Sequence, residues 1–204
     1  MKNKVIFQMT LAAINIAIIA VVSFIPYVGY IMYGGAAITT VHILVLVIAL
    51  IFGWKQGLVA GIAFGMVSFL VAITTASSPL DLAFVNPLIS IIPRAAFGFL
   101  AGITFQTIKR VKDIGYRSSL YVVASIVLTL FHSASVVLML FVFKGVMGFS
   151  NEFNAWLTIT VAVNSLIEAA AAGVIVPLIA WPLSRAFPQY SAYKSNKNDA
   201  ENVI

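Results

Sequence analysis

One arginine, Arg94, stands alone inside a long apolar part of the sequence. It closes the run Asn86-Pro87-Leu88-Ile89-Ser90-Ile91-Ile92-Pro93-Arg94, and no other charged residue lies between Asp81 and Lys109. A lone cation in apolar surroundings is costly and is kept for a function or for a partner. Because a guanidinium presents a planar fork of donors that suits a carboxylate, Arg94 is our candidate clamp for a carboxylated ligand. The structural alternatives are an internal pair with Asp81 or Glu168, and a side chain that reaches an aqueous interface.

Two polar residues four positions apart, Asn164 and Glu168, lie in another apolar stretch. This spacing places both side chains on one face of a helix. Together they offer donors and acceptors to a hydroxyl or an amide group of a ligand. The alternatives are a structural hydrogen bond between helices, an ion pair with Arg94, and a proton relay through Glu168 that no chain of further carboxylates continues.

The two histidines of the chain are further candidates for ligand contact. His132 lies in Phe131-His132-Ser133-Ala134-Ser135, and His42 follows Thr39-Thr40. A lone histidine in such a place is more often a structural residue, so both interpretations stay open. No HExxH sequence or other short-range ligand spacing accompanies them, and we predict neither a metal site nor a cofactor.

The composition makes a lipid bilayer the main solvent of this chain. Of its 204 residues 62% are apolar and only 9% are charged, and the mean hydropathy is +1.07. A soluble domain averages about 25% charged residues, so a water-facing globule is excluded. The net charge of +6 resides mainly in predicted loops, where it orients the chain in the membrane and does not indicate nucleic-acid binding. With no cysteine, disulfides and thiolate metal sites are excluded.

Charges, prolines and glycines divide the chain into six predicted transmembrane helices of roughly 20 residues. They are about Val5–Ile25, Ile38–Phe52, Leu58–Thr74, Pro87–Ile108, Ser119–Phe143 and Ala155–Trp181. The second helix follows a Gly- and Pro-rich turn over Pro26–Gly35, and Gly53–Gly57 is a predicted tight loop. Asn86 is the predicted N-cap of the fourth helix, with Pro87 at its first position. We expect an all-α integral membrane fold, one domain over residues 1–185, followed by a polar, mobile cytoplasmic tail over residues 186–204.

The basic residues are distributed unequally between the two sides of this predicted bundle. Six helices put both termini on one side, and that side holds Lys2, Lys4, Lys55, Lys109, Arg110, Lys112, Arg117, Arg185, Lys194 and Lys197. The other side holds Lys144, and Arg94 if it faces outward. By the positive-inside rule both termini are predicted to be cytoplasmic.

Three tyrosines, Tyr27, Tyr30 and Tyr33, recur in the Pro26–Gly35 turn. An aromatic belt at the membrane interface is the simpler explanation. The functional alternative is a lid over an outward pocket, for which Gly34-Gly35 is a hinge. The two explanations are compatible with each other.

A pair of alanines in the first helix, Ala13 and Ala17, encloses Ile14-Asn15-Ile16. Small residues at this spacing let another helix approach closely in lipid. Packing within the chain is the simpler explanation. Asn15 is polar, and a hydrogen bond to another helix or exposure at the interface must compensate for it.

Together these stretches resemble the substrate-binding S components of energy-coupling-factor (ECF) vitamin transporters. The resemblance is carried by the alanine pair, the Gly-rich outer turn, Ile38-Thr39-Thr40-Val41-His42-Ile43, Phe52-Gly53-Trp54-Lys55-Gln56-Gly57 and the run Asn86–Arg94, and it covers about residues 5–185. It implies a six-helix membrane protein that captures a vitamin from outside. It also implies docking through Ala13 and Ala17 on a shared transmembrane scaffold subunit, which two cytoplasmic ATPases drive. The absence of a GxxxxGK[ST] sequence from this chain agrees with that division of labour.

The resemblance also implies where the vitamin binds and which vitamin it is. Family pockets lie in the outer halves of helices four to six and are closed by the first outer turn. The predicted substrate-binding residues are Arg94, Asn164, Glu168, His132, Tyr33 and Asn86. The chain is most similar to the pantothenate-type branch, while folate or another carboxylated vitamin remains open. Riboflavin, pyridoxine and hydroxymethylpyrimidine fit a buried arginine less well.

Two other functions are weighed against this one. A self-sufficient carrier or channel would use Glu168 and His132 as proton-linked groups. An intramembrane enzyme would use Glu168, His132 and His42, but no nucleophile with a convincing base accompanies them, and we predict no catalytic residue.

Overall fold

The computed structural model describes residues 2–25, 28–33, 36–75, 82–143 and 151–186. These ranges contain six helices of twelve residues or more and one β-hairpin. In chain order the elements are α1 (Lys2–Phe24), β1 (Tyr30–Tyr33), β2 (Ala36–Thr39), α2 (Val41–Phe52), α3 (Trp54–Thr75), α4 (Pro87–Ile108), α5 (Ile114–Val142) and α6 (Asn151–Ala186).

Five of these helices, α1 and α3 to α6, are long and apolar enough to cross a membrane. The remaining helix, α2, has only 12 residues. It is about 18 Å long, shorter than the roughly 30 Å thickness of a hydrocarbon core. Its side chains are nearly all buried inside the bundle, among them Val45, Leu46 and Ala49, each 0% exposed. The predicted multi-span helical fold is confirmed at this level. Six complete spans and cytoplasmic termini stay predictions.

The sequence predicted a turn over Pro26–Gly35 and a helix from about Ile38, whereas α2 begins only at Val41. The described residues there form an antiparallel hairpin, in which Tyr30 pairs with Thr39 and Tyr33 with Ala36. Tyr-Ile-Met-Tyr favours a strand because aromatic and β-branched residues fit a pleated surface. Pairing of the two strands also satisfies backbone groups that an open turn would leave unpaired beside a membrane. Tyr27 and the proposed hinge Gly34-Gly35 lie outside the described residues.

The sequence predicts some of the helix boundaries correctly and others incorrectly. Asn86 caps α4 as predicted, because its side chain accepts a hydrogen bond from the Leu88 N–H at 3.0 Å, and α4 has the predicted bounds. The predicted Gly53–Gly57 loop is wrong, since Gly53 alone separates α2 from α3. Its φ of 84° is a left-handed conformation that glycine adopts without strain. The tail beyond residue 186 lies outside the described residues.

The antiparallel helices bring the charged loops to one end of the bundle, here termed the basic end. There the Lys109 ammonium donates a hydrogen bond to the carbonyl of Ile51, the last turn of α2. At the same end Phe105 of α4 meets Tyr121 of α5. The opposite end carries the hairpin and is termed the hairpin end. Its placement outside the cell stays a prediction.

Lys109 gives the basic end a dependence on pH. Burial lowers the pKa of this lysine from 10.5 to about 8. Between these two values the unfolded chain binds more protons than the folded chain, so the free energy of unfolding rises with pH. We expect the thermal midpoint in detergent to increase from pH 8 to pH 10 more in the wild type than in Lys109→Met. Lys55→Met, at an exposed lysine of α3, should keep the wild-type dependence, whereas equal slopes for the wild type and Lys109→Met would contradict this assignment.

Glycines allow α3 and α4 to pack backbone against backbone. A Cβ added to Gly61 of α3 would collide with the carbonyl oxygen of Arg94, and one added to Gly98 of α4 would collide with the carbonyl oxygen of Gly57. No flexible side chain intervenes at either position, so the helices cannot adjust locally. The position of Arg94 in the bundle therefore depends on Gly61.

Gly61→Ala should shift the segment of α4 that carries Arg94. Overpacking of a buried contact costs about 1–3 kcal/mol, and we expect a loss of stability in this range together with weaker ligand binding. Thermal unfolding and calorimetric titration of the purified variant measure the two effects. Gly115→Ala is the matched control, because a Cβ there meets only Asp113 Oδ1 at 3.4 Å. A wild-type stability for Gly61→Ala would show that the α3–α4 contact is not tight.

Helix α1 lies at the periphery and is held by a polar clasp formed by Gln8, Asn15 and Gln56. Only 11% of its apolar stretch is buried. Asn15 Nδ2 donates to Gln56 Oε1 at 3.3 Å, and Gln56 Nε2 donates to Gln8 Oε1 at 2.9 Å. Asn15 is thus compensated by α3 of the same chain. Such bonds contribute about 0.6 kcal/mol each in a membrane, and they fix the rotation of the helix as well.

Candidate ligand-binding site

Arg94, in the first half of α4, is buried, with 4% of its surface exposed. The residue before it, Pro93, lies inside α4 and has no N–H to donate to the carbonyl of Ile89 one turn earlier. Arg94 Nη1 donates to that carbonyl at 2.8 Å instead. The Pro-Arg sequence therefore creates a free carbonyl and satisfies it with the neighbouring side chain, which holds the guanidinium in a defined direction.

Aromatic rings flank the guanidinium of Arg94, and its Nε is buried without a hydrogen-bond partner among the described residues. Its carbon Cζ lies 4.5 Å from the ring centre of Phe84 and 5.6 Å from that of Phe64. Arg94 forms no ion pair with any described residue, and its predicted alternative partner Asp81 lies outside the described ranges. The result is a cation held by aromatic faces, with a donor left for an anion.

Two histidines meet beside this cation, His42 from α2 and His132 from α5. Their rings are nearly parallel, with centroids 6.5 Å apart. His132 also lies 4.9 Å from the ring of Phe97. Thr39 Oγ1 lies 3.3 Å from His42 Nδ1, whereas His42 Nε2 and His132 Nδ1 are buried without a partner in the described part of the chain. Buried nitrogens without partners favour a polar ligand group or a water molecule at this point.

The polar pair of α6 completes the cluster. Asn164 and Glu168 are 6% and 7% exposed, so the helix face that they were predicted to share lies inside the bundle. Glu168 Oε1 accepts a hydrogen bond from the Thr39 N–H at 2.6 Å. The Asn164 carboxamide makes no hydrogen bond within the described residues, and its donors and acceptor remain for a ligand. Glu168 and Arg94 do not form the direct ion pair that was one structural alternative.

The other two predicted binding residues lie at the hairpin end. Asn86 is half-buried, and its side-chain oxygen caps α4. Tyr33 belongs to β1 and pairs with Ala36. Contact of either residue with a ligand stays a prediction. Sequence analysis missed the phenylalanines around Arg94 and the hydrogen bond between Tyr30 OH and Ser68 Oγ at 2.9 Å. The rings nearest the Arg94 guanidinium, Phe84 and Phe64, lie ten and thirty residues before it in the chain, so no local spacing in the sequence signals them.

The predicted docking residues Ala13 and Ala17 lie apart from this cluster. Both are exposed, while Asn15 between them is buried in the clasp at 4% exposure. A rotation of about 100° per helical residue puts the two alanines opposite Asn15. They therefore form a smooth outward strip on the helix that is least buried in the bundle.

The chemistry of the cluster suits a small carboxylated solute. It offers one cation, the amide of Asn164, two imidazoles and several aromatic faces, all remote from bulk water. In the described ranges no three His, Asp or Glu side chains come together as metal ligands. Within the described residues the one hydroxyl beside an imidazole is that of Thr39, 3.3 Å from His42 Nδ1.

Comparison with known proteins agrees with this description. The family model described as "ECF transporter, substrate-specific component" matches residues 7–180. Pantothenate transporter PanT of Leuconostoc mesenteroides subsp. mesenteroides is 29% identical over an alignment of 196 residues, and the alignment covers 87% of this chain and 96% of that protein. The family is a transporter component and not an enzyme. The chain therefore belongs to the substrate-specific components of ECF transporters and is a multi-pass protein of the cell membrane.

Proposed function

We propose that this S component captures pantothenate from outside the cell and delivers it through a partner energising module. The observation that carries the proposal is the buried Arg94 guanidinium, whose Nε has no hydrogen-bond partner and which forms no ion pair within the described residues. A buried cation of this kind selects a ligand with a negative charge. The relative of L. mesenteroides that bears the name pantothenate transporter supports the choice among carboxylated vitamins.

The groups of pantothenate correspond to the groups of the cluster. Its carboxylate suits the fork of Arg94. Its amide and two hydroxyls suit Asn164, which offers both a donor and an acceptor, and the unpaired nitrogen of His132. Its branched hydrocarbon part suits the rings of Phe64 and Phe97. Tyr33 and Asn86 are proposed to contact the ligand from the hairpin end.

Transport requires partners in this proposal. A transmembrane scaffold subunit docks on the outward strip of α1 at Ala13 and Ala17, and two cytoplasmic ATPases drive it. The charged loops of the basic end face the cytoplasm together with both termini, so the hairpin end faces outward. The vitamin then enters the cluster from the side that carries the hairpin.

Calorimetry on the detergent-purified chain tests the proposed substrate. We expect sub-micromolar binding of pantothenate that excess folate, riboflavin, pyridoxine or hydroxymethylpyrimidine does not displace. Tight binding of one of these vitamins in place of pantothenate would retain the family role and replace the substrate. Uptake of pantothenate into liposomes by the chain alone would contradict the need for partners and support a self-sufficient carrier.

A further inference from the structure

The hairpin is attached to the bundle through one pair of residues that face each other across its two strands. Tyr30 and Thr39 are opposite each other in the register of β1 and β2. From this pair the Tyr30 hydroxyl meets Ser68 Oγ of α3 at 2.9 Å, and the Thr39 N–H donates to Glu168 Oε1 of α6 at 2.6 Å. The two attachments lie on different helices, so together they hold the hairpin across the bundle.

The bond from Thr39 to Glu168 has features of a structural attachment. The next residue, Thr40, donates its N–H to Gly29 O at 3.0 Å, back toward the first strand. The N–H of Thr39 instead leaves the hairpin and meets the carboxylate. When ionised, a carboxylate accepts a hydrogen bond about twice as strong as one between neutral groups. Glu168 is 7% exposed, so water competes little for this acceptor.

Thr39 also connects the hairpin to the histidine pair. Its hydroxyl lies 3.3 Å from Nδ1 of His42, whose ring is stacked on that of His132. Movement of the hairpin away from the bundle therefore breaks the bond to Glu168 and disturbs His42 at the same time. Glu168 is the one acidic side chain among these contacts.

From this geometry we infer that Glu168 is a positioning residue, which holds the hairpin against the ligand-binding cluster through the Thr39 N–H and is not itself a ligand contact. Its oxygen Oε1 is already occupied by the backbone. The hairpin then cannot move away from the bundle before this hydrogen bond breaks. Glu168 therefore limits the rate at which a ligand dissociates from the cluster. The statement about ligand release rests on the proposed function, whereas the attachment of the hairpin does not.

Hydrogen exchange of the ligand-free protein in detergent tests the attachment without any ligand. We expect peptides covering residues 28–40 to exchange at least tenfold faster in Glu168→Ala than in the wild type, while peptides of α3 and α5 keep their protection. Glu168→Gln retains an acceptor oxygen and should lie between the two. Asn164→Ala, one turn earlier on the same face, is the matched control and should leave the hairpin unchanged.

Two results would overturn the inference. One is an unchanged exchange of residues 28–40 in Glu168→Ala, and the other is an equal acceleration in Asn164→Ala. If Glu168→Ala does not fold, Glu168→Asp replaces it, because it keeps the charge and shortens the side chain by one methylene group. Faster exchange confined to the hairpin in Glu168→Asp supports the inference, and wild-type exchange there contradicts it.

Ligand kinetics separate a positioning role from a direct contact. We expect Glu168→Ala to release pantothenate about tenfold faster or more, as loss of a charge-assisted bond implies. Its preference for pantothenate over the uncharged analogue pantothenol should equal that of the wild type. A changed preference would make Glu168 a ligand contact. If the wild type binds no pantothenate, the proposed function fails, and hydrogen exchange alone decides the role of Glu168.

Discussion

Replacement of Arg94 by methionine is expected to weaken pantothenate binding about 100-fold or more. Truncation of one partner of a buried charged pair costs about 2–5 kcal/mol, much of it because the other charge is left unpaired. Methionine keeps an apolar stem between the rings of Phe84 and Phe64, where the guanidinium now lies. The loss then reports the carboxylate contact more than a change in packing.

The uncharged analogue pantothenol makes this prediction specific. In pantothenol a hydroxymethyl group replaces the carboxylate, so calorimetry with both compounds isolates the charge. The wild type should prefer pantothenate strongly, and Arg94→Met should bind the two compounds about equally. Arg94→Lys keeps the charge without the planar fork and should show an intermediate preference. Lys109→Met removes a cation at the basic end and should prefer pantothenate over pantothenol as strongly as the wild type does. An undiminished preference in Arg94→Met would make Arg94 a structural residue.

Tryptophan at Ala13 or Ala17 is expected to abolish assembly with the energising module while leaving vitamin binding unchanged. Both alanines are exposed in the structure, so a large side chain there meets no part of this chain. The clasp at Asn15 and Gln56 fixes the rotation of α1, and the new indole must point toward whatever covers the alanine strip. A close helix contact in lipid does not accommodate such a side chain.

Co-expression with the transmembrane scaffold and both ATPases, followed by affinity purification, measures this effect. We expect no recovered complex and no ATP-driven uptake for Ala13→Trp or Ala17→Trp, with calorimetric binding of pantothenate equal to that of the wild type. Ala162→Trp, at an exposed alanine of α6, is the matched control and should assemble. Normal assembly of both α1 variants would move the docking surface elsewhere, and loss of binding would show that the strip serves the fold of the chain itself.

The sequence predicted the long helices better than the segment between α1 and α2. Long apolar stretches bounded by charges define α1 and α3 to α6, and Pro87 and Lys109 bracket α4 almost to the residue. The hairpin was missed because it depends on pairing between two four-residue strands. No local periodicity distinguishes such strands from an apolar turn. The length of α2 was misjudged for the same reason, since the second strand takes its first predicted residues.

The candidate site was predicted in part, for a related physical reason. Isolated polar groups in apolar stretches are conspicuous, so Arg94, His132, Asn164 and Glu168 could be named in advance. The aromatic faces around Arg94 could not, because the chain has 15 phenylalanines and sequence alone does not show which of them meet. The bond from Thr39 to Glu168 joins residues 129 positions apart. Only the packing of the helices brings these two together.

The glycine contact between α3 and α4 also bears on how the chain enters the membrane. Among the five long apolar helices α4 is the least apolar, and its arginine, about a third of the way along the helix, opposes insertion by at most the roughly 2.5–3.5 kcal/mol that a charge costs at a helix centre. Helix α3 is synthesised before α4, and its one charged residue, Lys55, lies at its beginning. It already presents Phe64 to the guanidinium and Gly61 to the adjoining backbone. We therefore expect α3 and α4 to leave the insertion machinery together, as a packed pair of antiparallel helices. In this pair the arginine of α4 is never exposed to lipid without α3 beside it.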